Sequence, residues 1–107
     1  KVKAVGTSGK TRSDVLPDVP TLNEAGVTGY EATIWLGLMA PKGTPKAIID
    51  KLNETVSKIA SQADVKQQWA KQGAVPMVMN PAAFDKYLND DIAKWSNVIK
   101  SANIKLD

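Results

Sequence analysis

The sequence predicts an α/β protein whose sheet is incomplete. Helical patterns and apolar segments of strand length alternate along its 107 residues, as in proteins that pack helices on a sheet. Two or three strands are too few for a self-sufficient sheet covered by helices. We therefore expect this sequence to be the last part of a larger α/β protein. In order, the predicted elements are a strand at 2–7, a connector at 16–26, a strand at 30–41, helices at 44–61 and 63–73, a short strand at 74–79 and a helix at 80–102.

The connector at residues 16–26 has the sequence LPDVPTLNEAG. Pro17 and Pro20 fix their own φ angles and favour extended backbone at the residue before each. Thr21 and Glu24 have the spacing of a capping box, in which the hydroxyl accepts from one backbone amide while the carboxylate reaches back to another. We therefore expect a rigid connector that ends in one helical turn and carries no catalytic chemistry.

The predicted strands differ in their expected burial. Residues 2–7 are rich in β-forming side chains and lead into a polar turn. Residues 30–41 form an aromatic and aliphatic run that we expect to be the most buried strand. Met77 and Met79 flank Val78 in a short extended stretch, which predicts a buried edge strand, although a partner surface is the alternative.

The two longer helices begin with the same signal. Thr44 and Asn80 are predicted N-caps, each followed by a proline at the first helical position. Apolar side chains then recur every three or four residues, which predicts that one face of each helix packs on a core. These side chains are Ile48, Ile49, Leu52, Val56, Ile59 and Ala60 in the first helix, and Phe84, Leu88, Ile92, Trp95 and Ile99 in the last.

The composition argues against an enzyme. The chain has no cysteine and no histidine, so thiolate chemistry, cysteine-ligated metals and the commonest general base are excluded. Asp85, Asp90 and Asp91 lie along a predicted helix at positions that point in different directions, which indicates a solvated face rather than a metal site. We expect neither a cofactor nor a catalytic residue, and no metal ligand.

The net charge of +3 does not indicate nucleic-acid binding. Fourteen basic residues, one of them arginine, are interspersed with eleven acidic ones, whereas nucleic-acid readers concentrate their basic side chains on one face. No apolar run approaches the ~18 residues needed to cross a bilayer. The first ten residues lack the apolar stretch of a secretory signal, which leaves either a cytoplasmic chain or a processed or truncated product.

The order of several short motifs resembles one protein family. These are the LPDVPT connector with its EAG, the WLGL strand leading into AP and GTP, the QGA helix end, and the tryptophan and IK of the carboxy-terminal region. Together they resemble the last third of the tripartite tricarboxylate transporter solute-binding receptors, the Bug or TctC-like extracytoplasmic proteins. The resemblance covers essentially all of the chain.

This resemblance implies part of a type II periplasmic binding-protein fold, in which two α/β lobes close on a small solute. On that basis residues 1–32 would end the second lobe, residues 33–41 would be the strand that crosses the hinge, and residues 42–107 would complete the first lobe. The family's main ligand-gripping loops would precede residue 1. The resemblance also implies export to the periplasm.

Four residues are candidate ligand contacts because the resemblance would place them at strand ends near the crossing. Thr7 and Ser8 follow the first strand, and Thr33 and Trp35 begin the crossing strand. Each also has an ordinary structural interpretation, since turn hydroxyls bond local backbone and aromatic residues fill cores.

The implied function is non-enzymatic binding of a small carboxylate and its delivery to membrane transporter subunits. The alternative is a self-associating interaction module, a homodimer formed by strand exchange, because missing sheet partners would leave strand edges open.

Overall fold

The computed structural model describes residues 1–105 and contains three α-helices in that range. They are α1 at Lys46–Ala60, α2 at Ala63–Ala70 and α3 at Pro81–Ser101. None of these helices is both long and apolar enough to span a membrane. The chain divides into two compact units. One unit comprises residues 1–42 and 61–76, and the other comprises residues 43–60 and the described residues from 77 onward.

The predicted start of α3 is confirmed, and α1 begins at Lys46, two residues after its predicted N-cap, Thr44. α3 begins with Asn80 as its N-cap, whose Oδ1 accepts from the amide of Ala83 at 2.8 Å, and Pro81 follows at the first position. α1 begins directly after Pro45, whose carbonyl oxygen accepts from the amides of Ile48 and Ile49 at 3.0 and 3.2 Å. The Asn80 side chain thus caps α3, whereas the N-cap role of Thr44 at α1 stays a prediction.

Helix α2 ends three residues before the predicted position. The chain leaves the helix after Ala70 and forms a turn that ends at Gly73, whose φ is +72°. A residue in this left-handed conformation terminates an α-helix, and glycine adopts it without a Cβ penalty. The amide of Ala74 closes the turn by donating to the carbonyl of Trp69 at 3.0 Å.

The prediction of three strands is wrong for the described residues. Residues 2–6, 30–41 and 74–79 have no regular secondary structure, and the β-pairing within 1–105 is one isolated parallel bridge between Thr7 and Thr21. A strand is completed by the amides and carbonyls of its neighbours. The residues that the structure describes do not supply those neighbours, so strand-forming side chains are present without a sheet.

The predicted burial of residues 30–41 is also wrong. Ile34 is 97% exposed and Leu36 is 98% exposed, although both are strongly apolar. Met77 and Val78 are exposed as well, at 47% and 51%, so the predicted buried edge strand at 77–79 is wrong for those two residues. Burial requires a covering surface, which an apolar sequence pattern alone does not provide.

The second unit brings α1 and α3 together. The two helices contact each other, and Asn53 of α1 donates through Nδ2 to the carbonyl oxygen of Met79 at 2.7 Å, just before α3 begins. Ala60 at the end of α1 is buried. The predicted apolar faces are nevertheless only partly covered, since Leu52 remains 54% exposed and Ile92 55% exposed.

Candidate functional site

Thr7 is held in place through its backbone. Its amide donates to the carbonyl of Pro20 at 2.9 Å, and its carbonyl accepts from the amide of Leu22 at 2.8 Å. These two bonds form the parallel bridge to Thr21, which is 1% exposed. Because both bonds join Thr7 to the proline-rich connector, the connector supports the first candidate residue.

The side chain of Thr7 has an unused hydrogen-bonding group. Its Oγ1 is buried and has no hydrogen-bond partner within the described part of the chain. A buried hydroxyl without a partner costs about 1–3 kcal/mol. Such a group is expected to be satisfied by a water, another segment or a ligand.

A single backbone bond brings the second and third candidates into one neighbourhood. The carbonyl of Ser8 accepts from the amide of Ala32 at 2.8 Å, which places Ser8 beside the residue that precedes Thr33. The exposed Thr33 hydroxyl donates to Oε1 of Glu31 at 3.2 Å. The structure therefore joins Ser8 to the residue before Thr33, which lies 25 positions later in the sequence.

Trp35 is half-buried and follows Thr33 by two residues. It lies between Ile34 and Leu36, which are almost fully exposed. We call Thr7, Ser8, Thr33 and Trp35 the candidate edge. Hydrogen bonding within the first unit links Thr7, Ser8 and the start of the 33–41 segment, whereas Trp35 belongs to the candidate edge through its position in the chain.

An ion pair in the same unit as the candidate edge was not predicted from the sequence. Arg12 donates through Nε to Oε2 of Glu24 at 2.8 Å, and its Nη2 lies 2.7 Å from the same oxygen in an ion pair. It also donates through Nη1 to the carbonyl of Pro17 at 3.2 Å. The hydrogen bond that Arg12 donates to Glu24, and then the negative charge of Glu24, raise the pKa of the Arg12 guanidinium above its ordinary value. We call this arrangement the Arg12 clasp.

The Arg12 clasp changes the predicted capping box. Thr21 Oγ1 accepts from the amide of Glu24 at 3.1 Å, as predicted, and the amide of Ala25 donates to the carbonyl of Thr21 at 2.9 Å. The sequence predicts that the Glu24 carboxylate reaches back to the backbone amide of the N-cap. In the structure this carboxylate pairs with Arg12 instead. Arg12 is the only arginine in the sequence, but no local spacing rule connects positions 12 and 24, so the sequence does not predict this pair.

The second unit contains a groove of about 560 Å³ between the starts of α1 and α3. None of the four candidate residues lines this groove. Its polar side chains already have partners, since Asn80 caps α3 and Lys46 pairs with Asp50. Similarly, Asp90 on α3 pairs with Lys86 at 2.5 Å. Within residues 1–105, no group of three or more candidate metal ligands is present.

Comparison with known families matches most of the chain. The model of the tripartite tricarboxylate transporter family receptor, TctC, matches residues 1–104. A UPF0065 protein from Agrobacterium vitis is 36% identical over 105 residues, which cover 95% of this chain and 30% of that protein. Protein BugT from Bordetella pertussis is 32% identical over 98% of this chain and 32% of its own length.

Two solved structures share the fold. The structure of R. palustris Rpa4515 with adipate has a TM-score of 0.82 and 33% identity, over 92% of this chain and 33% of that one. The structure of periplasmic binding protein BugD has a TM-score of 0.80 and 30% identity, over 94% of this chain and 34% of that one. The chain thus spans about a third of the length of these relatives.

Proposed function

Because the chain belongs to the tripartite tricarboxylate transporter receptor family, we propose that it is the carboxy-terminal part of a receptor that binds a small carboxylate. The chain is part of an α/β periplasmic binding-protein fold. Its homologues are solute-binding receptors and not enzymes. The family's receptors are periplasmic, and we propose the same location for the protein that carries this chain.

The observation that carries the proposal is the structural match to a receptor solved with adipate. The match extends over 92% of this chain at 33% identity and a TM-score of 0.82. Adipate is a dicarboxylate with an aliphatic chain between its two charged ends. We propose a small carboxylate as the solute class of this receptor.

The proposed mechanism is closure of two lobes around the solute. In this proposal residues 1–32 end the second lobe, residues 33–41 cross the hinge, and residues 42–107 complete the first lobe. Closure buries the solute carboxylates and excludes water from around them. Hydrogen bonds to the carboxylates are therefore stronger than they would be in water. The closed receptor then delivers the solute to membrane transporter subunits.

The candidate edge fits a role in that closure. The buried hydroxyl of Thr7 has no partner among residues 1–105, and a hydroxyl can donate one hydrogen bond to a carboxylate. Ser8 would add a further hydroxyl donor, and Trp35 would offer an apolar face to the methylene groups of the solute. The Thr33 hydroxyl would have to exchange its bond to Oε1 of Glu31 for one to the solute. Neutral donors of this kind position a carboxylate without a buried ion pair.

A thermal-shift experiment tests the solute class. The receptor polypeptide that carries this chain is titrated with adipate and, as a matched control, with the uncharged diamide of adipate. Binding to the folded state raises the melting temperature as the ligand concentration rises. We expect stabilisation by the diacid and none by the diamide.

Two results would overturn the proposed solute class. One is equal stabilisation by the diamide, which would show that carboxylate charge is not recognised. The other is a flat response to a panel of mono-, di- and tricarboxylates by a receptor that melts cooperatively. We expect the 107-residue chain by itself to show no binding, since in this proposal the main gripping loops precede residue 1.

Self-association by strand exchange is the second candidate. One observation favours it, which is that Ile34 and Leu36 are almost fully exposed in a segment of strand-forming residues. None of the relatives described above supports such a homodimer. Sedimentation of the 107-residue chain tests it, because a monomer at micromolar concentration would contradict self-association and a dimer that dissociates when Leu36 is replaced by lysine would favour it.

A further inference from the structure

We propose that Arg12 is a positioning residue that holds the turn after Thr7 and, through it, the Thr7–Ser8 part of the candidate edge. The link to solute binding rests on the function proposed above. The link to the geometry of the turn rests on contacts within the first unit alone. Arg12 itself is solvent-accessible, with a side chain that is 47% exposed, and it acts through Glu24.

The contacts close a ring around the turn. Thr7 is bonded by its backbone to the connector at Pro20 and Leu22. Arg12, five residues later, is bonded to the same connector through Glu24. The four residues between these two anchors therefore have both ends attached to one support, which reduces the conformations open to so short a loop.

The ring is completed on the connector side by Thr21. Its hydroxyl accepts from the amide of Glu24 at 3.1 Å, and its side chain is almost fully buried beside Thr7 in the parallel bridge. The backbone of Glu24 is thus held by a contact that does not involve Arg12. An acceptor whose backbone is already held lowers the entropic cost of forming the ion pair. This entropic cost is one reason why exposed ion pairs usually contribute little to stability.

The chemistry of the clasp requires a guanidinium. Its Nε donates to Glu24 and its Nη1 donates to the carbonyl of Pro17, while Nη2 lies within ion-pair distance of the same Glu24 oxygen. A planar group with donors in a fixed fork can satisfy a carboxylate and a carbonyl in one geometry, whereas a lysine ammonium is a compact point charge on a flexible stem. Arg12→Lys is therefore not a conservative change at this position.

Amide hydrogen exchange of the 107-residue chain tests the positioning. The reporters are the amides of Leu22 and Ala32, which donate to the carbonyls of Thr7 and Ser8 respectively. An exposed ion pair changes an equilibrium constant by at most about fivefold. We expect three- to fivefold faster exchange of both reporters in Arg12→Ala and in Glu24→Gln.

Two further variants separate positioning from general destabilisation. Arg12→Lys should give an intermediate rate, and the exchanged pair Arg12→Glu with Glu24→Arg should restore part of the protection. The matched control is Glu54→Gln, which removes an exposed 2.8 Å ion pair with Lys58 on α1. It should leave Leu22 and Ala32 unchanged.

In the receptor that carries this chain, Arg12→Ala should weaken adipate binding by about three- to fivefold without changing the order of preference among acids of different length. Faster reporter exchange together with a flat response of the unaltered receptor to the whole carboxylate panel would support the clasp and overturn the proposed function. Unchanged exchange in Arg12→Ala would overturn the clasp even if adipate binds. An equal increase at the α3 amide of Ala83 would also overturn it, because the effect would then be global.

Discussion

The connector at 16–26 and the following segment at 33–41 belong to the same compact unit, and they differ in how their contacts are made. The connector is held by backbone bonds to Thr7, by the Thr21 cap and by the Arg12 clasp. The 33–41 segment carries the more apolar side chains, yet Ile34 and Leu36 are 97% and 98% exposed.

This difference follows from the range of the two kinds of interaction. Caps, turns and ion pairs are satisfied by groups a few residues to a few tens of residues away, so the chain supplies them itself. Apolar burial requires a surface of many side chains from several elements. This chain spans about a third of the length of its relatives. Its local caps, turns and ion pairs are complete, whereas much of its apolar surface remains uncovered.

The largest effect that tests this comparison is expected at Thr21. Thr21→Val keeps the shape of the side chain but removes the oxygen that accepts from the amide of Glu24. Loss of a helix cap costs about 0.5–2 kcal/mol, and we expect the upper half of that range because Thr21 is 1% exposed. The local opening free energy, from amide exchange of Ala25, measures the loss.

Thr28→Val is the control for Thr21→Val. Thr28 is exposed in a turn of the same unit, so its replacement should change the opening free energy by less than about 0.5 kcal/mol. Equal losses in the two variants would show that the connector does not depend on its cap.

A smaller effect is expected from the prolines. Pro17→Ala and Pro20→Ala keep the carbonyls that accept from Arg12 and Thr7, but they increase the conformational freedom of the unfolded chain. Each should therefore lower the free energy of unfolding by about 0.4–1 kcal/mol, as measured by urea titration.

The same proline variants test the position of the connector in the receptor. They should loosen closure while leaving the preference among acids unchanged, as measured by calorimetry with adipate and a shorter diacid. A changed preference would show that the connector contacts the solute directly.

The smallest effect is expected at Leu36. Because its side chain is 98% exposed, Leu36→Ser should change the stability of the 107-residue chain by less than about 0.5 kcal/mol. Leu88→Ser is the matched comparison, since Leu88 is half-buried on α3 and its replacement should cost more. A large loss at Leu36 would contradict the exposure of the 33–41 segment and would require a covering surface within this chain.

The candidate edge could be predicted only in part. Its four residues were selected from the family resemblance, and their role in binding remains a prediction. The structure adds the bond between Ser8 and Ala32 and the buried Thr7 hydroxyl, which has no partner among the described residues. Neither this bond nor the burial of the hydroxyl follows from a sequence pattern, because both depend on contacts between segments that are distant in the sequence.

The sequence by itself determined the features that depend on neighbours in the chain. The starts of α1 and α3, the Thr21 cap and the glycine turn after α2 all follow from residues within about five positions of one another, and such local signals act before any tertiary contact forms. The same signals identified the family, since that resemblance rests on the order of short motifs.

Tertiary structure alone decided two things. It directed the Glu24 carboxylate away from its own N-cap and onto Arg12, twelve residues earlier, because the turn after Thr7 brings the guanidinium there. It also decided that the apolar, strand-forming residues of the 33–41 segment would remain exposed. A strand needs a partner strand and burial needs a covering surface, and neither is specified by the segment itself.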